Sequence, residues 1–150
     1  MSVTVDRAGL GDLEALAPLF AAYRAFYAQA EDLPLAHAFL GERLQRGESV
    51  ALLARLDGTA AGFVQLYPSF SSVSAARTWV LNDLFVAPEA RRRGVAQALL
   101  GAATAFARGD GAIRLELETD LDNREAQSLY HAMGWQLFDG TLRFRLPLDG

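Results

Sequence analysis

Apolar and polar positions along this chain follow two alternating periods. Residues 3–7 alternate with period two, as a half-buried strand does. Over residues 10–27 the period lengthens: Leu13, Leu16, Leu19, Phe20, Tyr23 and Tyr27 recur at three- and four-residue steps, which predicts a helix. Asp12 and Glu14 stand near its start, where the helix dipole favours acids. A second helix is predicted over 34–46, with Leu35, Phe39, Leu40 and Leu44 inward and Gly47 as its stop. Two apolar runs, 49–56 and 59–67, flank Asp57-Gly58, a strong hairpin signal. Serine-rich residues 68–75 predict a loop, and 77–86 a long apolar strand ended by Pro88. The helical period returns over 94–108, with Val95, Leu99, Ala102 and Phe106 on one stripe. Residues 113–119 alternate as a strand, 124–133 form a short helix closed by Gly134, and 135–138 with 142–146 predict a last pair of strands around Asp139-Gly140.

The predicted order is β-α-α-β-β-β-α-β-α-β-β, a mixed α/β sheet that is antiparallel early and has a crossover near its middle. At 150 residues the chain fits one domain spanning 1–150, and no repeat or linker divides it. Without cysteine it has no disulfide, no thiolate metal site and no sulfur nucleophile. Two isolated histidines, His37 and His131, show no metal-ligand spacing and are read as surface or packing residues, so no metal is expected. All 14 basic residues are arginine and the net charge is −4, a poor balance for nucleic acid or an anionic membrane. No basic N-terminal segment leads into a long apolar run, and no stretch is apolar enough to span a membrane. A cytoplasmic protein is expected, and a homodimer, with the final strands as an exposed edge.

The most informative stretch is VAPEARRRGVAQALL, residues 86–100, which runs strand, loop, helix. Its spacing is Arg91-x-x-Gly94-x-Ala96. Small residues in the first turn let a ligand approach the backbone, and a helix N-terminus binds anions. The spacing is neither a Walker loop nor the dinucleotide fingerprint. Read alone, it is either a site for one phosphorylated ligand or a helix start with a solvated arginine run. The second constellation is DNREAQSLYHAMGW, residues 122–135. Asp122 or Asn123 caps the helix, and Tyr130 lies seven residues past Asn123, two turns along the same face. Such a tyrosine is either core with a satisfied hydroxyl or a proton donor.

Taken together and in this order, the two motifs resemble those of the GNAT superfamily of N-acetyltransferases, over nearly the whole chain. The resemblance implies a twisted, mostly antiparallel sheet of about seven strands, splayed at its middle and flanked by about four helices. It implies acetyl-CoA as the acyl donor. Arg91, Arg92, Arg93, Gly94, Val95, Ala96 and Gln97 would cradle the pyrophosphate, and Leu84, Phe85 and Val86 would pair with the pantetheine arm as with an added strand. Asn123 and Arg124 would meet the cofactor from the other side of the splay, and Tyr130 would protonate the departing thiolate. LNDLFV and the preceding YPSFSS look most like the diamine and polyamine acetyltransferase branch. That branch often carries a glutamate where this chain has Asn82; Asp83 is retained.

Acetyl transfer to an amine needs a proton acceptor, an oxyanion donor and a proton for the leaving thiolate. With no cysteine to carry the acyl group, direct attack in a ternary complex is the simplest scheme. An alkylamine titrates near ~10.4, so a base or a water chain must take its proton. Asp83 and Glu118 are the candidates for that role or for ammonium recognition; each has a plain structural alternative, a turn anchor for Asp83 and a solvated strand face for Glu118. The acceptor pocket is expected between the first two helices and the central strand, lined by Tyr23, Tyr27, Trp79 and Asn82, with Phe26 packed inside. The acceptor expected is a small primary amine: a polyamine, an aryl-alkylamine or an amino acid. A peptide amine as acceptor, a non-catalytic acyl-CoA sensor, and a phosphate or nucleic-acid binder built on the arginine run are the alternatives.

Overall fold

The computed structural model describes residues 2–148. Contacts divide the chain into a larger unit ending at Glu118 and a smaller one beginning at Thr119. The larger unit is a five-stranded sheet in the order β1-β2-β3-β4-β5: Val3–Arg7, Val50–Leu56, Thr59–Ser71, Ala76–Val86 and Leu115–Glu116. The first four strands are antiparallel neighbours, and β5 is parallel to β4 after the crossover through helix α3, Val95–Gly109. Helix α1, Leu13–Phe26, follows a 3-10 turn at Leu10–Asp12, and α2 spans Leu33–Gln45 with the Asp32 carboxylate accepting from the Leu35 N–H.

The two faces of the sheet are covered by different helices. On one face, Leu16, Phe20 and Ala21 of α1 and Ala36 and Leu40 of α2 meet Ala51, Leu53, Phe63 and Phe85. On the other lies α3, whose Leu99, Leu100 and Ala103 are fully buried and whose Phe106 ring stands 5.0 Å from that of Trp79. Gly62 shows how closely α3 and the sheet approach. A Cβ there would fall 2.7 Å from the Phe85 carbonyl oxygen and 3.3 Å from Leu99.

The Asp57-Gly58 signal holds: both residues have positive φ, 51° and 86°, as a two-residue hairpin turn of the primed type requires. Three expectations differ. Residues 68–71 are not loop but the continuation of β3, paired with β4 out to Ser71 and Ala76. Pro68 is tolerated because β2 ends opposite Leu66, leaving β3 beyond it an edge strand where a missing N–H costs no ladder bond. The strand expected over 113–119 shortens to Leu115–Glu116. The two strands expected at 135–138 and 142–146 are not present: no ladder pairing among the described residues extends past Glu116. Alternation gives a segment the preference for a strand, but a strand exists only through its partner. Among the described residues the sheet therefore has five strands, not about seven, and the final strands expected as an exposed edge do not form.

The smaller unit carries helix α4, Arg124–Ala132. Asn123 is its N-cap, with its side-chain oxygen accepting from the Ala126 N–H at 3.2 Å. The Gln127 amide holds the preceding turn through the carbonyls of Asp120 and Leu121. No helix among the described residues is long and apolar enough to cross a membrane.

Candidate active site

The site begins with an irregularity in β4. Gln65 pairs with Asp83, but the next rung joins Leu66 to Leu81, so Asn82 is an extra residue, a β-bulge. The bulge changes which residues of β4 share a face. β3 keeps its alternation, with Phe63, Gln65 and Tyr67 turned toward α1. Before the bulge, Trp79 turns toward α3; after it, Asp83 and Phe85 turn toward α1. Unbroken alternation would have put Trp79 and Asp83 on the same side.

Trp79 is consequently separate from the acceptor cluster in which it was expected. It is buried against Phe106, and its indole Nε1 donates to Asp110 at 2.8 Å. The bulge does bring Asp83, Asn82, Tyr23 and Tyr67 together. Asp83 is 2% exposed. Its carboxylate accepts from Gln65 Nε2 at 2.6 Å and from Asn82 Nδ2 at 2.8 Å. The Tyr23 hydroxyl donates to the Asn82 carbonyl at 3.4 Å and also interacts with the Asp83 carboxylate. Burial pushes the Asp83 carboxyl above the usual carboxylate range, against the opposing pull of its hydrogen bonds from Asn82, Gln65 and Tyr23. Burial and the Asp83 charge raise Tyr23, and push Tyr67 up to about 12. Both phenols are thus held neutral beside a carboxylate.

Tyr27 extends the aromatic wall, its ring 5.1 Å from that of Tyr23 and edge-on to it. Phe26, expected to pack inside, is 61% exposed and meets only the edge of Tyr27 among the ring contacts. Asn82 is itself exposed, so the rim of the cluster is Asn82 with the half-buried Tyr23 and Tyr67. Gln65 and Tyr67 escaped the sequence reading. A lone glutamine inside the buried run AGFVQLY was their signal, because an amide in a core strand needs a polar partner.

Next to the bulge, β4 has a free edge. β5 pairs only with Trp79 and Val80, so no strand among the described residues meets Leu84, Phe85 and Val86 on that side. Their backbone groups can hydrogen-bond an extended ligand there. Beyond Val86 the chain turns through a 3-10 turn at Pro88–Ala90 into the arginine loop. Arg91 is folded back, with Nε donating to the Val86 carbonyl at 3.1 Å and the guanidinium 5.8 Å from the Phe85 ring centre. Arg92 and Gly94 have positive φ, 62° and 80°. The first intrahelical bond runs from Ala98 N–H to the Gly94 carbonyl, so the amides of Val95, Ala96 and Gln97 precede it. No acidic residue lies in that first turn, and Arg91, Arg92 and Arg93 are exposed beside it. Three successive amides, an open backbone and three guanidinium groups fit a pyrophosphate.

Tyr130 and Arg124 lie on α4, with the Tyr130 ring 6.1 Å from that of Trp135. Glu118 is exposed, past the end of β5. His37 pairs with Glu14 at 3.0 Å and His131 is exposed. Among the described residues no cluster of side chains could hold a metal ion.

The sequence pattern of the acetyltransferase (GNAT) family matches residues 14–135. An uncharacterized N-acetyltransferase, YhfO of Bacillus subtilis (strain 168), is 47% identical over 144 residues, 96% of this chain and 97% of that protein. An aminoglycoside N(6')-acetyltransferase type 1 of Klebsiella aerogenes is 33% identical over 112 residues, 73% of this chain and 74% of its own. Among solved structures, that of a probable acetyltransferase superposes with a TM-score of 0.91 at 42% identity, covering 100% of this chain and 99% of the other. An aminoglycoside N-acetyltransferase in complex with CoA shares the fold, with a TM-score of 0.81 at 21% identity over 98% of this chain and 96% of that one.

Proposed function

The chain belongs to the GNAT family of acetyltransferases, whose acyl donor is acetyl-CoA, and from that premise we propose that it acetylates a primary amine of a small molecule by direct transfer. The observation that carries this reading is the β4 bulge, which sets a buried carboxylate, Asp83, directly beside the unpaired edge at Leu84, Phe85 and Val86. The edge suits an extended pantetheine arm, and the carboxylate suits an amine brought against it.

Each residue has a task in this scheme. The amides of Val95, Ala96 and Gln97, with Arg91, Arg92 and Arg93, hold the phosphates. Asp83 takes the proton of the incoming ammonium, and its raised pKa narrows the gap between carboxylate and amine. A backbone N–H of the Leu84 to Val86 segment donates to the oxyanion. Tyr130 supplies the proton to the thiolate, and Asn123 and Arg124 contact the cofactor. Asn82 cannot act as a base, which leaves the role to the neighbouring carboxylate. Tyr23 and Tyr27 present aromatic faces to a cationic acceptor. Polyamines and amino sugars both offer such an amine; the amino sugars are brought in by the aminoglycoside N(6')-acetyltransferase relative.

The test is thiol release from acetyl-CoA in the presence of spermidine, sisomicin, 2-phenylethylamine, amino acids and short peptides. Amine-dependent release with a small-molecule acceptor is expected. Binding of acetyl-CoA with no release for any amine would point to a sensor, and release with peptides alone would move the acceptor to a protein amine.

A further inference from the structure

Gln65 has half an amide with nothing to do. The side chain is fully buried on β3 opposite Asp83, and Nε2 donates to Asp83 Oδ2 at 2.6 Å. Its Oε1 is buried with no hydrogen-bond partner among the described residues. Turning the amide over does not cure this. It would set Oε1 against an ionised carboxylate, acceptor to acceptor, and strand Nε2 instead. While Asp83 is ionised, therefore, Gln65 always presents an unanswered acceptor. The bond lengths of an amide place that oxygen within about 5 Å of Oδ2.

A second neutral acceptor beside a carboxylate complements a cation with more than one N–H, and a primary ammonium is the simplest such group. A tertiary ammonium has one N–H and leaves one acceptor empty. A secondary one has two, so once Asp83 has taken the first, the N–H held by Gln65 is the one the nitrogen must lose on acylation, whereas a primary one has a third to lose. Tyr23 and Tyr67, kept neutral by burial, add no competing charge.

We propose that Gln65 is a specificity-determining residue of the amine site, its Oε1 accepting one N–H of the acceptor while Asp83 accepts another. This rests on the reading of Asp83 as the group that meets the amine. The alkylammonium passes one proton to the Asp83 carboxylate, giving a neutral amine and a carboxylic acid. A second N–H stays on Gln65 Oε1 and fixes the direction of the nitrogen lone pair. The nitrogen then forms its bond to the acetyl carbon as the carbon–sulfur bond breaks; Tyr130 gives its proton to the thiolate sulfur, and the further proton the nitrogen sheds restores the Tyr130 hydroxyl.

Gln65→Met keeps the volume and removes the acceptor; Gln65→Glu keeps the acceptor. Steady-state rates are measured with acetyl-CoA and with spermidine, sisomicin, 2-phenylethylamine and N-methyl-2-phenylethylamine. Thermal melts and acetyl-CoA titrations accompany each protein. In Gln65→Met the amine KM is expected to rise about tenfold or more, with a smaller fall in kcat, while affinity for acetyl-CoA stays within about twofold. The preference for the primary amine over its N-methyl counterpart should collapse. Gln65→Glu should hold the amine KM within about threefold and move the rising limb of the pH profile upward, because two neighbouring carboxyls resist joint ionisation. An unchanged amine KM and an unchanged primary-to-secondary ratio in Gln65→Met would overturn the proposal. Should that variant not fold, a tenfold KM rise in Gln65→Glu overturns it equally. A wild-type protein that acetylates none of these amines removes the small-amine reading first, and this inference with it, before any variant is compared.

Discussion

Asp83 shows how one inserted residue creates a chemical group. Its carboxyl is buried by the strand alternation that the bulge at Asn82 resets, and burial raises its pKa. Two pH dependences follow. As a base it works ionised, so the rate should climb as pH rises through the raised value, and Asp83→Asn should lose that limb together with about tenfold or more in kcat. As a buried carboxyl with a raised pKa it favours folding most when protonated. That contribution is full below the unfolded value near 3.8 and is lost as pH rises through the folded one. Melting wild type and Asp83→Asn in parallel from acid to pH 8 should show the gap shifting in favour of the variant. The sequence offered Asp83 as a candidate but could not place it, because a bulge is a property of two strands and Asn82 looks like any other residue of its run. The same blindness put Trp79 with Tyr23.

At the scale of elements, local signals were read well where the chemistry is local. Asp57-Gly58 turns as its residue types demand, and Asn123 caps α4 through its own side chain. Asn123→Ala should cost about 1 kcal/mol, read by denaturant titration. Signals that depend on a partner were read less well: β3 runs on through Pro68, β5 is short, and no ladder forms over 135–148. Gly62 illustrates the packing that sequence cannot report. Gly62→Ala drives a methyl into the Phe85 carbonyl and should destabilise by roughly 1–3 kcal/mol. Gly94→Glu tests the arginine loop instead. Its φ of 80° disfavours any side chain, and a carboxylate at a helix N-terminus repels phosphate, so acetyl-CoA binding should vanish in a calorimetric titration.

For the molecule as a whole, ligand binding and stability are linked. Acetyl-CoA at a hundred times its Kd should add about 2.7 kcal/mol, a rise of roughly 5–11 °C in Tm for a chain of this length. The rise should shrink as salt is added, since the phosphate contacts proposed for Arg91, Arg92 and Arg93 would be screened.

The unpaired stretch of β4 has a further consequence, for handling the protein rather than for its chemistry. The outward backbone groups along Leu84 to Val86, which no strand among the described residues meets on that side, are a template for any extended chain, including the same stretch of a neighbouring molecule. Whatever occupies that edge also caps it. Protein stripped of acetyl-CoA should therefore turn cloudy sooner on concentration or gentle warming than protein kept with it, and the cofactor would act as a solubility guard as well as a reactant.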